Sequence, residues 1–270
     1  MKSFNFLVFI FFCFTTRTAA QDRDFIGISL HSGLFLVDGD IDGKGPGVGF
    51  RIQFPTHSIL AVRANAAYHS AKGLGVQPWT HSTFGGGLIE SVYTPYLNEK
   101  EGWFPSYHFQ QTSIEFEGQF SIMKTIAAIT DDEFDAIDVY LLGGLGLFRK
   151  QTNLDLLDQN GLPYSNLASK ALNGQSFETK SGRDQIRKTL RSIYDGNYET
   201  TINYSAKFNI SFGAGFSFKL NELMSIGLEH KMIFYPNVDY IDGIRFRTAV
   251  DQTTSKDKAT YSSMFLMIKI

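Results

Sequence analysis

Six charged residues stand where charge is costly. Arg51, Arg63, Glu115, Glu117, Glu229 and Lys231 each lie in a stretch in which apolar residues recur at every second position. Alternation with period two sends the apolar side chains to one face of a strand and the charged ones to the other. If that second face is enclosed, three cations and three carboxylates must neutralise one another, because an unpaired buried charge costs several kcal/mol. Counted from the short connections, Arg51, Arg63, Glu117 and Glu229 fall within about five to seven residues of one rim, with Glu115 and Lys231 slightly higher; at about 3.3 Å per residue they share one or two layers. The expected chemistry is a structural ionic cluster filling a lumen, and a gated ion path is the alternative.

Other groups are weaker. Asp38-Gly39-Asp40-Ile41-Asp42-Gly43 has the carboxylate spacing and glycine that open a calcium loop. Its twelfth position is Gly49, where such a loop needs a bidentate Glu, and Asp-Gly is common hairpin-turn chemistry. A metal-free turn is therefore expected. Ser181 with Asp184 resembles a capping box, and Ile186, Leu190 and Ile193 follow at helical spacing. Lys180, Arg183, Arg187, Lys188 and Arg191 would give that helix a basic face. Arginine matches phosphate geometry, so Arg183, Arg187, Lys188 and Arg191 are candidate contacts to lipid phosphates, with a merely solvated face as the alternative.

Nucleophilic catalysis would need a nucleophile, a base and an orienting acid held together. His31, His57, His69 and His81 are each followed by Ser, but neighbours in a strand point to opposite sides. Only the loop pair His81-Ser82 escapes that objection. No His-Glu-x-x-His and no phosphate-cradling glycine loop opening a helix is present, and the glycines of 143–146 read as close packing within a strand. No catalytic residue, metal ligand or cofactor is predicted.

The elements that must position these groups are eight alternating segments. Their apolar members include Ile28, Leu30, Leu34 and Leu36; Val48, Phe50, Ile52 and Phe54; Leu60, Val62, Ala64, Ala66 and Tyr68; Ile114, Phe116, Phe120 and Ile122. Val139, Leu141, Leu145 and Leu147 follow, then Phe208, Ile210, Phe212, Phe216 and Phe218, then Ile226, Leu228, Met232 and Phe234, and lastly Met264, Leu266, Ile268 and Ile270. Each segment is long enough for a tilted membrane strand of roughly 9–11 residues. Short links (55–57, 123–136, 221–222) alternate strictly with long ones (37–45, 71–107, 151–201, 236–258), so every long link falls on one rim. That asymmetry is typical of membrane barrels, with short periplasmic turns and long outer loops. The fold expected is all-β: an eight-stranded antiparallel up-and-down transmembrane β-barrel over 21–270, with long extracellular loops 71–107 and 151–201. An even strand count leaves both termini on the periplasmic side. A lumen of this size holds side chains or one small ligand.

Residues 1–20 read as a signal peptide. Lys2 precedes an apolar run over 4–14, and Thr18-Ala19-Ala20 offers small residues before Gln21. The run is shorter than the about 20 residues a spanning helix requires. The only cysteine, Cys13, lies inside it behind Phe11 and Phe12, which argues against a lipid anchor and leaves no disulfide or thiolate site downstream. The chain carries 25 Lys and Arg against 27 Asp and Glu, and removing 1–20 deletes two bases and no acid. An acidic mature chain argues against nucleic acid as a partner. Outer-membrane lipid, the barrel-assembly machinery during biogenesis and other envelope proteins are the partners expected, and the bacterial outer membrane is the expected location.

Phe116-Glu117-Gly118-Gln119 and Val139-Tyr140-Leu141-Leu142-Gly143-Gly144-Leu145-Gly146, with the stretches from Leu156 to Tyr164 and Asp195 to Thr200, resemble the N-terminal barrel of OmpA-type outer-membrane proteins. The resemblance implies the same barrel and a non-enzymatic role in envelope structure or surface contact. Membership in a secretion or assembly complex through 123–136, or a surface lipid hydrolase using His81 and Ser82, are the alternatives. Many members continue into a peptidoglycan-binding domain after the last strand. This sequence stops at the end of that strand, as a barrel-only member or as a truncated one, so tethering is not carried over; Ile270 also stands where many outer-membrane barrels end in Phe.

Overall fold

The computed structural model describes residues 25–39, 41–56, 59–78, 102–130, 136–203, 206–236 and 258–270. The expected signal peptide, Asp40, His57, His81-Ser82, the acidic 131–135 and most of the loops 71–107 and 236–258 lie outside them.

Eight long strands carry the fold: β1 Gly27–Asp38, β2 Gly43–Pro55, β3 Leu60–Leu74, β4 Ser106–Ser121, β5 Ile137–Leu154, β7 Lys207–Lys219, β8 Met224–Phe234 and β9 Lys258–Lys269. They are bonded in the order β4-β3-β2-β1-β9-β8-β7-β5, and β4 pairs with β5 to close the ring. Every neighbouring pair is antiparallel. The result is the eight-stranded up-and-down barrel expected from the alternation, and closure removes the free edges a sheet would otherwise expose. A ninth strand, β6 (Thr200–Asn203), pairs only with the last turn of β5 and is no stave of the barrel.

The surface is inverted relative to that of a water-soluble protein. Leu30 is 67 % exposed, Phe116 64 % and Leu147 62 %, while Arg63, Glu117 and Lys231 are buried. Outward positions of all eight staves carry exposed Leu, Ile, Phe, Val or Met, which makes a continuous apolar belt. Patches that large are found on surfaces that meet lipid or protein.

One connection holds a helix where a plain link was expected, and another holds more than its one expected helix. The link 123–136 contains the helix α1, Ile122–Thr130, which runs on directly from β4. Ser121 Oγ accepts the backbone N–H of Lys124 at 3.1 Å, capping its first turn. At the opposite end of the barrel, β5 runs on to Leu154, and the loop 151–201 folds into α2 Leu167–Leu172 and α3 Lys180–Ile193. The start of α3 is a correction: its cap is Thr179, not Ser181, and Thr179 Oγ1 accepts from Gly182 N at 3.1 Å. Asp184 instead pairs with Arg187 at 3.0 Å. The helix ends at Tyr194, whose extended backbone leaves the helical region, and the positive φ of Gly196 turns the chain back.

These loop elements form a hood over the barrel mouth. Its core, Leu154, Leu156, Tyr164, Leu167, Ile186 and Leu190, is continuous with Trp103, Phe104 and Tyr107 and with Phe35, Phe109, Phe148 and Tyr235 inside the barrel. Each of these side chains is worth about 1.5–3 kcal/mol in removed apolar surface, so the hood is held by packing rather than by its connections.

Candidate functional site: lumen and hood cleft

The lumen is stacked in layers. The ionic layer gathers all six charged residues singled out in the sequence. Arg51 grips Glu229 with both terminal nitrogens, Nη1 to Oε1 at 2.8 Å and Nη2 to Oε2 at 2.5 Å. Arg63 Nη1 donates to the same Glu229 at 2.7 Å, and its Nε and Nη2 donate to Glu117 Oε2 at 3.0 and 2.5 Å. Lys231 Nζ bridges Glu115 at 2.9 Å and Glu117 at 2.7 Å. Neutral donors complete the set: Tyr140 OH to Glu229 at 2.8 Å and Asn209 Nδ2 to Glu115 at 3.1 Å. Three cations meet three carboxylates, and forked arginine–carboxylate pairs are the strongest geometry available to them.

The glycines of β5 make room for this layer. A Cβ on Gly146 would stand 2.6 Å from Glu115 Cγ and 2.3 Å from Asn209 Oδ1, and one on Gly144 would stand 2.8 Å from Glu117 Cγ. Alternation turns Gly144 and Gly146 inward, and there the carboxylates occupy the space a side chain would fill.

Above the ionic layer His31 Nε2 lies 2.8 Å from Asn65 Oδ1 and its Nδ1 3.1 Å from Tyr261 OH. An amide oxygen accepts, so Nε2 carries the proton and Nδ1 accepts from the phenol. His69 is sandwiched between Phe35, stacked at 4.5 Å, and Tyr261, edge-on at 4.7 Å. Phe35, Phe109, Phe148 and Tyr235 then pack together beneath the hood.

A second site lies outside the lumen. A cleft of about 1500 Å³ separates α3 from the loop ends of β2 and β3. Arg187, Lys188 and Arg191 line one wall, and Lys44 and Lys72 line the other. Lys44 and Lys72 are register partners on the outward face, and both are exposed. Asp38, Asp42, Asp155 and Asp184 also border the cleft. Of the four residues proposed from sequence for phosphate contact, three share the cleft. Arg183 does not: its Nη1 donates to the carbonyls of Phe177 and Glu178 at 3.2 and 2.8 Å, so it braces the turn entering α3. Lys44 and Lys72 were not singled out, because neither belongs to a charge run; only the strand register brings them together.

The cleft floor is acidic. Asp155 is fully buried, accepts Tyr164 OH at 2.8 Å and Gly196 N–H at 3.1 Å, and has carboxylate oxygens of Asp195 and Glu199 within 4.8 Å. Burial, helped by those two carboxylates, pushes its carboxyl up to about 7. Tyr164 in turn stacks edge-on with Tyr194, whose hydroxyl donates to the carbonyl of Phe104.

Two serine–histidine contacts exist among the described residues, one of them His230 Nδ1 to Ser262 Oγ at 2.8 Å between β8 and β9. In the other, Ser70 Oγ and His108 Nε2 are 2.9 Å apart on the outward face of β3 and β4, beside the ring of Tyr198. Among the described residues no carboxylate bonds the other nitrogen of His108.

No family model matches the sequence, and no curated protein matches it. Solved structures with the same kind of barrel do. Neisserial surface protein A (NspA) is 9 % identical, with 91 % of this chain and 97 % of that one covered at a TM-score of 0.45. Ail, the attachment invasion locus protein of Yersinia pestis, is 11 % identical, with 92 % and 100 % covered at 0.40. The outer membrane protease OmpT of Escherichia coli is 8 % identical, with 95 % and 100 % covered at 0.38. A surface protein, an attachment protein and a protease thus stand at comparable distance, and likeness at this level separates none of those roles.

Proposed function

We propose that this chain is a non-catalytic barrel of the bacterial outer membrane, with a plugged lumen, that presents its hood for contact at the cell surface. The observation that carries the reading is the inversion of its two faces: an apolar belt outside, a neutral ionic layer and an aromatic ceiling inside. Such a belt is stable only against hydrocarbon, and a closed barrel is one of the two ways a backbone can cross it. The ionic layer acts as structure, holding six strands at a fixed spacing.

The surface contact is with phosphate groups of the surrounding outer-leaflet lipid. Lys44 and Lys72 face outward at the level where the belt ends, and Arg187, Lys188 and Arg191 face them across the cleft. Five cations around one opening suit a phosphate better than any one of them alone. The probe is purified protein in vesicles containing a phosphomonoester-bearing anionic lipid, with retained lipid counted after detergent extraction. The triple variant Arg187→Ala, Lys188→Ala, Arg191→Ala should retain several-fold less of that lipid and lose the salt dependence of retention. Equal retention by both proteins would remove the phosphate reading.

The Ser70–His108 contact supports a second reading, an outward-facing lipid hydrolase. The same vesicles decide it. Release of free fatty acid that disappears in Ser70→Ala would replace the non-catalytic reading with this one.

A further inference from the structure

The geometry points to α1 as an interfacial anchor: we propose that its isoleucine stripe lies in the periplasmic leaflet of the membrane that surrounds the barrel. The inference rests on the membrane reading above and adds a second, helical contact to it.

Three observations carry it. First, α1 exposes what a short helix in water should hide. None of its residues is buried, Ile126 is 40 % and Ile129 80 % exposed. At 3.6 residues per turn, Ile122, Ile126 and Ile129 fall within about 60° of one another. Second, the direction of that stripe is fixed by the opposite side of the helix. Lys124, roughly across the wheel from the stripe, lines the turn-end mouth of the lumen with Asp138, Tyr140, Ser217 and Lys219. With Lys124 turned toward the barrel axis, the isoleucines point away from it. Third, the stripe continues an interface already present. Phe120, two residues before α1, and the register partners Ile137 and Phe218 are exposed members of the apolar belt, and α1 packs against β5 just beside them.

The helix is also held in place. Ser121 caps its first turn and donates from the same hydroxyl to Asp138 on β5, so its entry is tied to the neighbouring stave. A tethered helix with an apolar stripe at the edge of a lipid-facing belt, and a cation on its far side, has the distribution of an interfacial helix. The occupant is therefore lipid, by continuity with the belt.

The test uses the full-length chain with Cys13→Ala, refolded into phosphatidylcholine–phosphatidylglycerol vesicles, with a nitroxide on a single introduced cysteine. Leu30→Cys reports the belt, Ile129→Cys the stripe and Lys124→Cys the opposite side. Collision rates with oxygen, which partitions into lipid, and with a water-soluble nickel chelate are compared. The expected result is an oxygen-to-nickel ratio at 129 that is several-fold higher than at 124 and on the same side as at 30. A lipid-like signal at 30 with a water-like one at 129 would overturn the anchor and leave the membrane barrel standing. Protection of 129 from both reagents would mean that a second copy covers the stripe, and would also overturn it. Water-like signals at 30 and 129 together would fail the membrane reading itself. All variants must first show the unboiled mobility of the parent, which separates misfolding from each of these outcomes.

Discussion

At the scale of single residues, Glu229 is the hinge of the lumen. It accepts from Arg51, Arg63 and Tyr140 at once, so its loss leaves Arg51 without its carboxylate and Arg63 with Glu117 as its one carboxylate, beside the neutral acceptor Gln119. Breaking a buried pair by removing one partner costs about 3–5 kcal/mol. Glu229→Ala should lower the unfolding free energy of the lipid-inserted barrel by about that much, read from urea titration, while Glu229→Gln, which keeps an acceptor, should lose less. Equal stability of Glu229→Ala and the parent would mean that the network is not holding the staves. The membership of this network was legible in the sequence and its wiring was not. Period two places Arg51, Arg63, Glu115, Glu117, Glu229 and Lys231 on one face, and counting residues gives their height. Which carboxylate each cation meets depends on how the ring closes, and Arg51 reaches Glu229 178 positions away. Lys44 and Lys72 failed to appear for the same reason, since register and not spacing makes them neighbours. Tyr140 reads in the sequence as part of a glycine-rich strand, and the signal for its role is a phenol on the inward face beside Leu142.

At the scale of elements, strands were easy to read and helices in loops were not. Alternation over ten or more positions is hard to mistake, whereas α1 begins where the alternation of β4 ends, and Ile122 satisfies both periods. The loop 151–201 could be given a helix from its apolar spacing, but not its docking, because the partners Trp103 and Phe104 come from another loop. That docking is pH-dependent through Asp155. Its carboxyl is raised from the ordinary 3.8 to about 7 in the folded hood, so between those values the folded state holds a proton that the opened state has released. Stability contributed by this group is complete below about pH 4, declines as pH rises, and is gone above about 7. Hydrogen exchange over 156–199, corrected for its intrinsic pH dependence, should show the hood better protected at pH 5 than at pH 8. Asp155→Asn should flatten the difference. Protection that rises with pH, or a difference that survives Asp155→Asn, would assign the effect to another group.

At the scale of the whole molecule, the proposed plug would consist of two seals of different chemistry. The ionic layer spans the lumen with no net charge, and the ceiling of Phe35, Phe109, Phe148 and Tyr235 merges with the hood. They are independent, because none of the ionic contacts involves a residue of the hood. In planar bilayers of molar salt the parent should therefore show no unitary conductance, and unboiled protein should migrate faster than boiled protein, as a closed barrel does. Deleting 156–199 removes the hood and part of the ceiling's support. If the ionic layer alone fills the bore, as expected for eight staves, the deletion should keep its heat-dependent mobility and still conduct nothing. Opening the second seal then requires charge to be taken out of the first: the deletion combined with Arg63→Ala and Glu117→Ala should be the variant that passes ions. Conductance in the simple deletion would show that the hood is the gate and the ionic layer is permeable, whereas a chain that stays soluble and shows no mobility shift would overturn the membrane barrel altogether.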